Sequence, residues 1–274
     1  MPQYQYETVN VEVLPEGVAH VQLNRPNKLN AFNDQLVNDV RIAFEDISKD
    51  SNILSVVISG SGRMFTAGLD LTETKLKSFD EGDPARAAYK NRAHIENFQA
   101  AFTAIELCTK PVIAAIHNAC FGAGVDLITA CDIRYCTSDS FFCIKEVDVG
   151  LAADVGSLQR LPKVIGNQSL VRELCFTGRN MYADEALACG FVSKVTDDYN
   201  SLMGEALKLA RTIASKSPIA VLGTKHLLNY SRDHSVAEGL AYTVTWNAPM
   251  LNTEDIPLSI QAFVTKRPAK YSKL

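Results

Sequence analysis

Three carboxylic acids in the middle of the chain have the type and the placement needed for proton transfer. Asp126 follows a run of small residues, Glu146 follows an apolar segment, and Asp154 lies in the stretch Gly-Leu-Ala-Ala-Asp-Val-Gly. Burial among apolar side chains raises the pKa of a carboxylic acid, which suits a group that must donate a proton near neutral pH. Two structural roles compete with this interpretation. Asp154 could cap a helix, and Asp126 could be a helix-start charge favoured by the helix dipole.

Two turns of small residues could stabilise negative charge on an oxygen atom. In segments 64–70 and 121–126 an apolar strand leads through small residues into the start of a helix. Backbone N–H groups at a helix start have no partners inside the helix, so two such turns brought together would form an oxyanion hole. One donor of this kind typically contributes roughly 3 kcal/mol of transition-state stabilisation. Taken singly, a glycine-rich turn after a strand more often serves tight packing alone.

The pattern of the remaining chain predicts an α/β core followed by helices. Alternating or continuous apolar runs predict strands over 9–14, 18–23, 54–59, 112–116, 133–136 and 141–144. Helical periodicity predicts helices over 34–47, 84–108, 125–131, 157–161, 168–176, 183–188, 202–214, 219–230 and 236–246, the first capped by Asn33. We therefore predict a core over residues 1–197 that carries the site and a helical region over 198–274. The apolar face of the helix over 202–214 could cover the core of its own chain or that of a neighbouring subunit. We expect it to cover the core of its own chain.

Composition and charge argue against several classes of function. The net charge of −4 provides no basic field for nucleic acid. No run of eighteen apolar residues exists, so we expect no membrane span. Five scattered histidines, and seven cysteines without a C-x-x-C pair, predict no metal site. The chain has no G-x-G-x-x-G, P-loop or G-x-S-x-G motif, which argues against dinucleotide, nucleotide and serine-hydrolase chemistry.

The last three residues predict a cellular address. Ser272, Lys273 and Leu274 form the tripeptide that the peroxisomal import receptor binds at a carboxyl terminus. We therefore expect residence in the peroxisomal matrix. The first residues have neither the basic and apolar regions of a secretion signal nor the arginine-rich character of a mitochondrial presequence.

The motifs around the two turns resemble the enoyl-CoA hydratase/isomerase superfamily, also called the crotonase superfamily. The matching segments are Leu-Asn-Arg-Pro-Asn-Lys-Leu-Asn-Ala over 23–31, Met-Phe-Thr-Ala-Gly-Leu-Asp over 64–70, Gly-Ala-Gly-Val-Asp-Leu over 122–127 and Ala-Cys-Asp-Ile-Arg over 130–134. Segments 145–156, 158–167 and 230–236 resemble one family within it, the Δ3,5-Δ2,4-dienoyl-CoA isomerases. The resemblance covers the chain from about residue 18 onward. It implies a spiral of ββα units, a C-terminal helical region used in trimerisation, and assembly into trimers or hexamers.

The resemblance also implies a ligand and the residues that hold it. The ligand is an acyl-CoA thioester whose carbonyl oxygen would accept hydrogen bonds from the backbone N–H groups of Ala67 and Ala123. No metal and no separate cofactor is implied, because CoA is part of the substrate. Members of the superfamily usually have glycine at the position of Ala123, and the added methyl group narrows the turn while keeping the amide. The residues that would line the thioester and pantetheine path are Thr66, Gly68, Leu69, Asp70 and Gly124.

The three acids match the carboxylates of the dienoyl-CoA isomerases. The implied reaction moves a proton from C2 to C6 of a 3,5-dienoyl thioester and yields the 2,4-diene, in β-oxidation of unsaturated fatty acids. We predict Glu146 as the base at C2, Asp154 as the acid at C6, and Asp126 as the group that orients or tunes this pair. Hydratases of the superfamily generally have glycine at the position of Asp154, so this residue discriminates between the two activities.

Two other functions use the same scaffold. The nearer alternative is an enoyl-CoA hydratase or a Δ3,Δ2-enoyl-CoA isomerase, which an assay with 3,5-dienoyl-CoA and 2-enoyl-CoA would separate. The more distant alternative is a non-catalytic crotonase-like protein that only binds partners. The acidic net charge and the intact set of three carboxylates argue against it.

Overall fold

The computed structural model describes residues 4–73 and 83–274. Its strands are β1 (Val9–Val13), β2 (Val18–Leu23), β3 (Ser55–Gly60), β4 (Val112–Ile116), β5 (Ala119–Phe121), β6 (Ile133–Thr137), β7 (Phe141–Cys143), β8 (Met181–Tyr182) and β9 (Lys194–Thr196). Its helices are α1 (Asp34–Lys49), α2 (Pro84–Leu107), α3 (Ala123–Ala130), α4 (Ser157–Val164), α5 (Gln168–Thr177), α6 (Ala183–Ala188), α7 (Tyr199–Ala214), α8 (Pro218–Arg232), α9 (Val236–Met250) and α10 (Asp255–Thr265). Short 3-10 helices span Pro26–Lys28 and Glu146–Val149.

The strands form two sheets. The larger sheet has the order β1-β2-β3-β4-β6-β9, with β1 antiparallel to β2 and the other neighbours parallel. In the smaller sheet β7 lies between β5, to which it is parallel, and β8, to which it is antiparallel. Helices connect the parallel strands, because a parallel pair needs a long crossover. This architecture confirms the predicted α/β core.

The central strands of the larger sheet are buried on both faces. Val56 and Ile58 of β3 belong to the main core with α1 and α2, whereas Val57 belongs to a second cluster beneath α7. Alternate side chains of a strand point to opposite faces, so a doubly covered strand reads as a continuous apolar run. Leu202 and Ala206 of α7 complete the second cluster. The apolar face of α7 therefore covers the chain's own sheet, as expected, while the division at residue 197 stays a prediction.

Most predicted elements lie where the sequence pattern placed them, with ends shifted by a few residues. Asn33 caps α1 as predicted, because its side chain accepts a hydrogen bond from the N–H of Leu36 at 3.0 Å. The sequence prediction missed β5, β8, β9 and α10. The three missed strands have two or three residues each, too few to show an alternating pattern.

Helix α8 is attached to the core by a buried ion pair. The ammonium group of Lys225 lies 2.8 Å from Asp132 Oδ2 and donates to the carbonyl oxygen of Lys110 at 3.1 Å. Farther along, α9 and α10 present apolar side chains to solvent, including Val244 and Phe263. In the described part of the chain, no helix combines the length and the apolar character needed to cross a bilayer.

Candidate active site

The structure brings the two predicted turns into direct contact. Thr66 and Cys120 form an isolated parallel bridge between them. The N–H of Thr66 donates to the carbonyl oxygen of Ala119 at 3.2 Å, and the N–H of Phe121 donates to the carbonyl oxygen of Thr66 at 3.2 Å. The backbone therefore fixes the first turn against the segment that leads into α3.

Two glycines permit this close approach. Gly68 has a φ of +85°, and a Cβ atom there would lie 2.9 Å from the carbonyl oxygen of Phe121. A Cβ atom on Gly124 would overlap Cγ2 of Thr66 and lie 2.9 Å from Sγ of Cys120. Thr66 is not free to move aside, because its hydroxyl donates to the carbonyl oxygen of Asn30 at 2.7 Å and accepts from the N–H of Gly68 at 3.1 Å. Small residues in these turns are therefore a packing requirement.

The hydrogen bonds of the first turn correct one predicted donor. The N–H of Ala67 donates to the carbonyl oxygen of Leu29 at 2.9 Å, so this amide is used within the fold. Leu69 forms a parallel bridge with Phe32. The N–H of Phe32 donates to the carbonyl oxygen of Gly68, and the carbonyl oxygen of Phe32 accepts a hydrogen bond from the N–H of Asp70. In such a bridge the middle residue turns its own N–H away from its partner. In this turn the N–H of Leu69, rather than that of Ala67, can therefore donate a hydrogen bond to a substrate oxygen.

In the second turn the amide that was predicted as a donor is not used within the fold. Ala123 and Gly124 are the first two residues of α3, and their N–H groups have no hydrogen-bond partner within residues 4–73 and 83–274. The next amide, that of Val125, already donates to Gly122 O at 2.7 Å. Free amides at a helix start attract negative charge. These amides and that of Leu69 are unbonded donors of the kind that an oxyanion hole needs, and the role predicted for Ala123 stays a prediction.

Asp70 shapes the first turn with its side chain. The carboxylate accepts hydrogen bonds from Arg25 Nη1 at 3.1 Å, from Thr72 Oγ1 at 2.7 Å and from the N–H of Glu73 at 3.2 Å. Burial alone would raise the pKa of Asp70, but the hydrogen bonds from Thr72 and Arg25 lower it to about 2. Its oxygen atoms are thus occupied in holding residues 70–73 in place.

Asp126 is a fully buried carboxylic acid with one bonded and one free oxygen. It lies in the first turn of α3, where the helix dipole favours a negative charge, as the structural alternative proposed. Oδ1 accepts a hydrogen bond from the N–H of Ser157 at the start of α4, while Oδ2 is buried without a partner among the described residues. Burial raises the pKa of Asp126, and the negative charge of Glu146 raises it further, to about 7. Asp126 therefore holds its proton to a much higher pH than an ordinary carboxylic acid does.

Glu146 faces the second turn. A Cβ atom on Gly122, which has a φ of +45°, would lie 3.2 Å from Oε1 of Glu146. Oε2 is buried and has no hydrogen-bond partner in the ranges that the structure describes. Burial raises the pKa of Glu146, and the charge of Asp154 raises it further. A carboxylate with a raised pKa, beside the free amides of α3, is placed to act as a base toward a ligand held by those amides.

Asp154 lies beyond Glu146 on the loop before α4. Its side chain is exposed, and its carbonyl oxygen accepts a hydrogen bond from Nε2 of Gln99, on α2, at 2.6 Å. Helix α4 begins at Ser157 with Gly156 at the N-cap position, so the alternative of Asp154 as the cap is wrong. The charge of Asp154 raises the pKa of Glu146, so the two acids interact electrostatically.

Two features of the site were not predicted from the sequence. One is the set of groups that hold these acids in place, and the other is the free amide of Leu69. A backbone donor has no side-chain signature, which is why the first turn was placed correctly but its free amide was not. The amide of Ser157 had a readable signal, since it follows Gly156 at a helix start. Within the described ranges, no group of three or more His, Cys, Asp or Glu side chains is arranged to hold a metal ion.

Comparison with known proteins identifies the family of the chain. The family model for enoyl-CoA hydratase/isomerase matches residues 14–273. Over 276 residues the chain is 55% identical to the mitochondrial Delta(3,5)-Delta(2,4)-dienoyl-CoA isomerase of Mus musculus, covering 99% of this chain and 84% of that protein. It is 41% identical over 279 residues to the peroxisomal Delta(3,5)-Delta(2,4)-dienoyl-CoA isomerase of Arabidopsis thaliana, covering 100% of each.

A solved structure shares the fold. The crystal structure of an enoyl-CoA hydratase from Bacillus anthracis matches with a TM-score of 0.88 at 27% sequence identity, covering 97% of this chain and 99% of that chain. This likeness confirms the predicted crotonase-type fold. The chain belongs to the enoyl-CoA hydratase/isomerase family.

Proposed function

We propose that this chain is a Δ3,5-Δ2,4-dienoyl-CoA isomerase that acts in the β-oxidation of unsaturated fatty acids. The observation that carries the proposal is the position of Glu146, whose carboxylate lies against Gly122, the residue before the unpaired amides of α3, and whose Oε2 has no partner among the described residues. The names of relatives that are 55% and 41% identical to the chain support the same substrate. Asp126 and Asp154 complete the three-acid set that this reaction uses.

The first step polarises the thioester. The amide of Leu69 and an amide at the start of α3, predicted to be that of Ala123, would donate to the thioester carbonyl oxygen. Donors that are fixed before the reaction stabilise the charge that develops on this oxygen when a C2 proton leaves. Thr66, Gly68 and Gly124 keep the two turns at the separation that this requires.

The second step moves the double bonds along the acyl chain. Glu146 would remove a proton from C2, and the electrons of that C–H bond would form a conjugated enolate extending to C6. Asp154 would then donate a proton to C6, so that one C–H bond breaks and one forms. Glu146 would then release its proton to solvent and Asp154 would take one up from solvent, which restores both acids. The reaction balances without an oxidant, a reductant or a metal ion. Asp126 would tune Glu146, because neighbouring carboxylates raise each other's pKa values.

The test is a comparison of two substrates. Purified protein is mixed separately with a 3,5-dienoyl-CoA and with a 2-enoyl-CoA, and absorbance is followed. We expect the 2,4-dienoyl chromophore to grow with the first substrate. Hydration of the second substrate without isomerisation of the first would instead identify an enoyl-CoA hydratase. A protein that only binds partners would turn over neither substrate, and its properties would be unchanged in Glu146→Gln and Asp154→Asn.

We further propose that the helices after α7 assemble the protein into a homotrimer or a homohexamer. The support is apolar surface that the chain does not cover: Leu240 and Val244 on α9, and Ile260 and Phe263 on α10, are each more than half exposed. Large apolar side chains that are exposed in one region of a chain often mark a protein–protein interface. Light scattering after gel filtration would give three or six times the chain mass, and a monomer at micromolar concentration would contradict the proposal.

The location that we propose is the peroxisomal matrix. Ser272, Lys273 and Leu274 would bind the import receptor. Named locations of relatives differ, since the protein of Arabidopsis thaliana is called peroxisomal and that of Mus musculus mitochondrial. A fluorescent protein fused before residue 1 should accumulate in peroxisomes and lose this location when Leu274 is removed. Mitochondrial fluorescence that survives the deletion would contradict the proposal.

A further inference from the structure

An arginine lies in the interior beside the acid cluster. Arg160 of α4 has a side chain that is only 11% exposed. Its Nη2 donates to Glu106 Oε2 at 2.8 Å and to Thr103 Oγ1 at 3.3 Å, and its Nε donates to the same carboxylate oxygen at 3.2 Å. Both partners are on α2. The planar guanidinium group is thus held in one orientation by two side chains of another helix.

The same carboxylate binds a second arginine. Oε1 of Glu106 accepts a hydrogen bond from Arg232 at the end of α8. Burial would raise the pKa of Glu106, but Arg160 and Arg232 lower it, so this acid remains ionised. The ion network therefore joins α2, α4 and α8, with Arg160 on its inner side and Arg232, one-third exposed, on its outer side.

The remaining terminal nitrogen of Arg160 faces the acid cluster. A Cβ atom on Gly156, which has a φ of +143°, would overlap Nη1 of Arg160 and lie 3.9 Å from Oδ1 of Asp126. Gly156 therefore lies between the guanidinium group of Arg160 and the carboxylate of Asp126. The next residue, Ser157, donates its N–H to that same oxygen. Arg160 thus lies against the turn that holds Asp126.

We propose that Arg160 is a positioning residue for the three-acid site, in which its guanidinium group, clamped by Glu106 and Thr103, fixes the turn at Gly156 and places a positive charge beside Asp126. The inference rests on the proposed isomerase function for its catalytic consequence. The structural part does not depend on the identity of the substrate. Arg160 would not contact the acyl chain; it acts through Asp126 and, through Asp126, on Glu146.

The charge of Arg160 opposes the two influences that raise the pKa of Asp126. Burial and Glu146 raise this pKa, hydrogen bonding to Ser157 lowers it, and Arg160 lowers it further. Without this cation the carboxylic acid would stay protonated to a higher pH. The ionisable groups that face Asp126 from the elements packed around it are Cys120 of β5, Glu146 of the second 3-10 helix, Arg160 of α4 and Cys175 of α5, with Glu106 of α2 behind Arg160.

The deciding experiment measures the titration of Asp126 without substrate. Full-length protein carrying ¹³Cγ-labelled aspartate is titrated by NMR, and the Asp126 resonance is assigned from its absence in Asp126→Asn. In Arg160→Gln we expect the titration midpoint to rise by about one pH unit, because an opposite charge has been removed. Arg232→Gln is the matched control, since it removes an arginine from the outer side of the same carboxylate. We expect its midpoint to stay at the wild-type value.

Activity then separates charge from position. Arg160→Lys keeps the positive charge but loses the planar fork, so we expect the midpoint to stay near the wild-type value while kcat on 3,5-dienoyl-CoA falls about tenfold to a hundredfold with little change in KM. An Asp126 midpoint that is unmoved in Arg160→Gln, or moved as far in Arg232→Gln, would overturn the proposal. If the wild-type protein does not isomerise the substrate, the proposed function fails while the NMR result still decides the role of Arg160. Should Arg160→Gln not fold, wild-type kcat in Arg160→Lys would overturn the proposal.

Discussion

Three largely buried carboxylates in this molecule, those of Glu106, Asp126 and Glu146, are held in two opposite ways. Both oxygens of Glu106 bind arginines, and these arginines lower its pKa. Asp126 and Glu146 each keep one buried oxygen without a partner in the described part of the chain, and burial raises both of their pKa values. Buried polar groups are nearly always paired, because an unpaired one costs free energy. The difference shows that the fold pairs both oxygens of Glu106 but holds Asp126 and Glu146 at a cost in free energy, which is the pattern of a catalytic site.

Substitution of Glu146 gives the largest expected effect on activity. Glu146→Gln removes the proposed base while keeping the size of the side chain, so we expect kcat on 3,5-dienoyl-CoA to fall about a thousandfold. The melting temperature should stay within a few degrees of wild type, because the lost charge is not part of an ion pair. In contrast, Glu106→Gln should clearly lower the melting temperature, because Arg160 and Arg232 would lose the carboxylate that pairs with them. Equal losses of stability in both variants would remove the distinction between the two groups.

The contact between the two turns is tested by a glycine substitution. Gly124→Ala would place a methyl group where Cγ2 of Thr66 lies, so we expect the turns to separate and kcat to fall about tenfold to a hundredfold. Gly204→Ala is the matched control. This glycine lies inside α7 with open space around the added methyl group, and alanine there should stabilise the protein by up to about 1 kcal/mol. Full activity in Gly124→Ala would show that the separation of the turns does not matter.

The pKa of Asp126 predicts a smaller effect that depends on pH. The folded protein holds this pKa at about 7, against an ordinary value of 3.8. The folded state therefore binds more protons than the unfolded state between these values, and stability falls as pH rises through this window. Asp126→Asn removes the penalty, so we expect it to raise the melting temperature by several degrees at pH 8 and to change it little at pH 4. A gain of the same size at both pH values would contradict the pKa shift.

A substitution of Asp154 should move the activity profile. In Asp154→Asn the neutral amide would carry no charge to repel the carboxylate of Glu146, so the pKa of Glu146, which the charge of Asp154 raises, should fall. We therefore expect the acidic limb of kcat/KM to shift to lower pH in this variant, with a reduced maximum rate. An acidic limb that stays at the wild-type pH would mean that Glu146 is not the group whose ionisation limits the reaction.

The sequence predicted the elements and the acids of this site better than it predicted their partners. Apolar runs and small-residue turns located β3, β4, α3 and both turns, because their signals are local. The approach of Gly124 to Thr66 is a tertiary contact between residues that are far apart in the chain. Ala67 was chosen as a donor by motif, and only the bond to Leu29 showed that its amide is occupied. Backbone hydrogen bonds across the chain leave no mark on residue type.

Solvent-deuterium exchange tests most directly whether two different acids act at the two ends of the diene. The 3,5-dienoyl-CoA is incubated in D₂O with wild-type protein, Glu146→Gln or Asp154→Asn, and deuterium at C2 and C6 is measured by NMR. We expect Glu146→Gln to abolish exchange at both carbons, and Asp154→Asn to retain exchange at C2 while losing delivery to C6. If Asp154→Asn delivers deuterium to C6 at the wild-type rate, or loses exchange at C2 as completely as Glu146→Gln does, the assignment of one acid to each carbon is wrong.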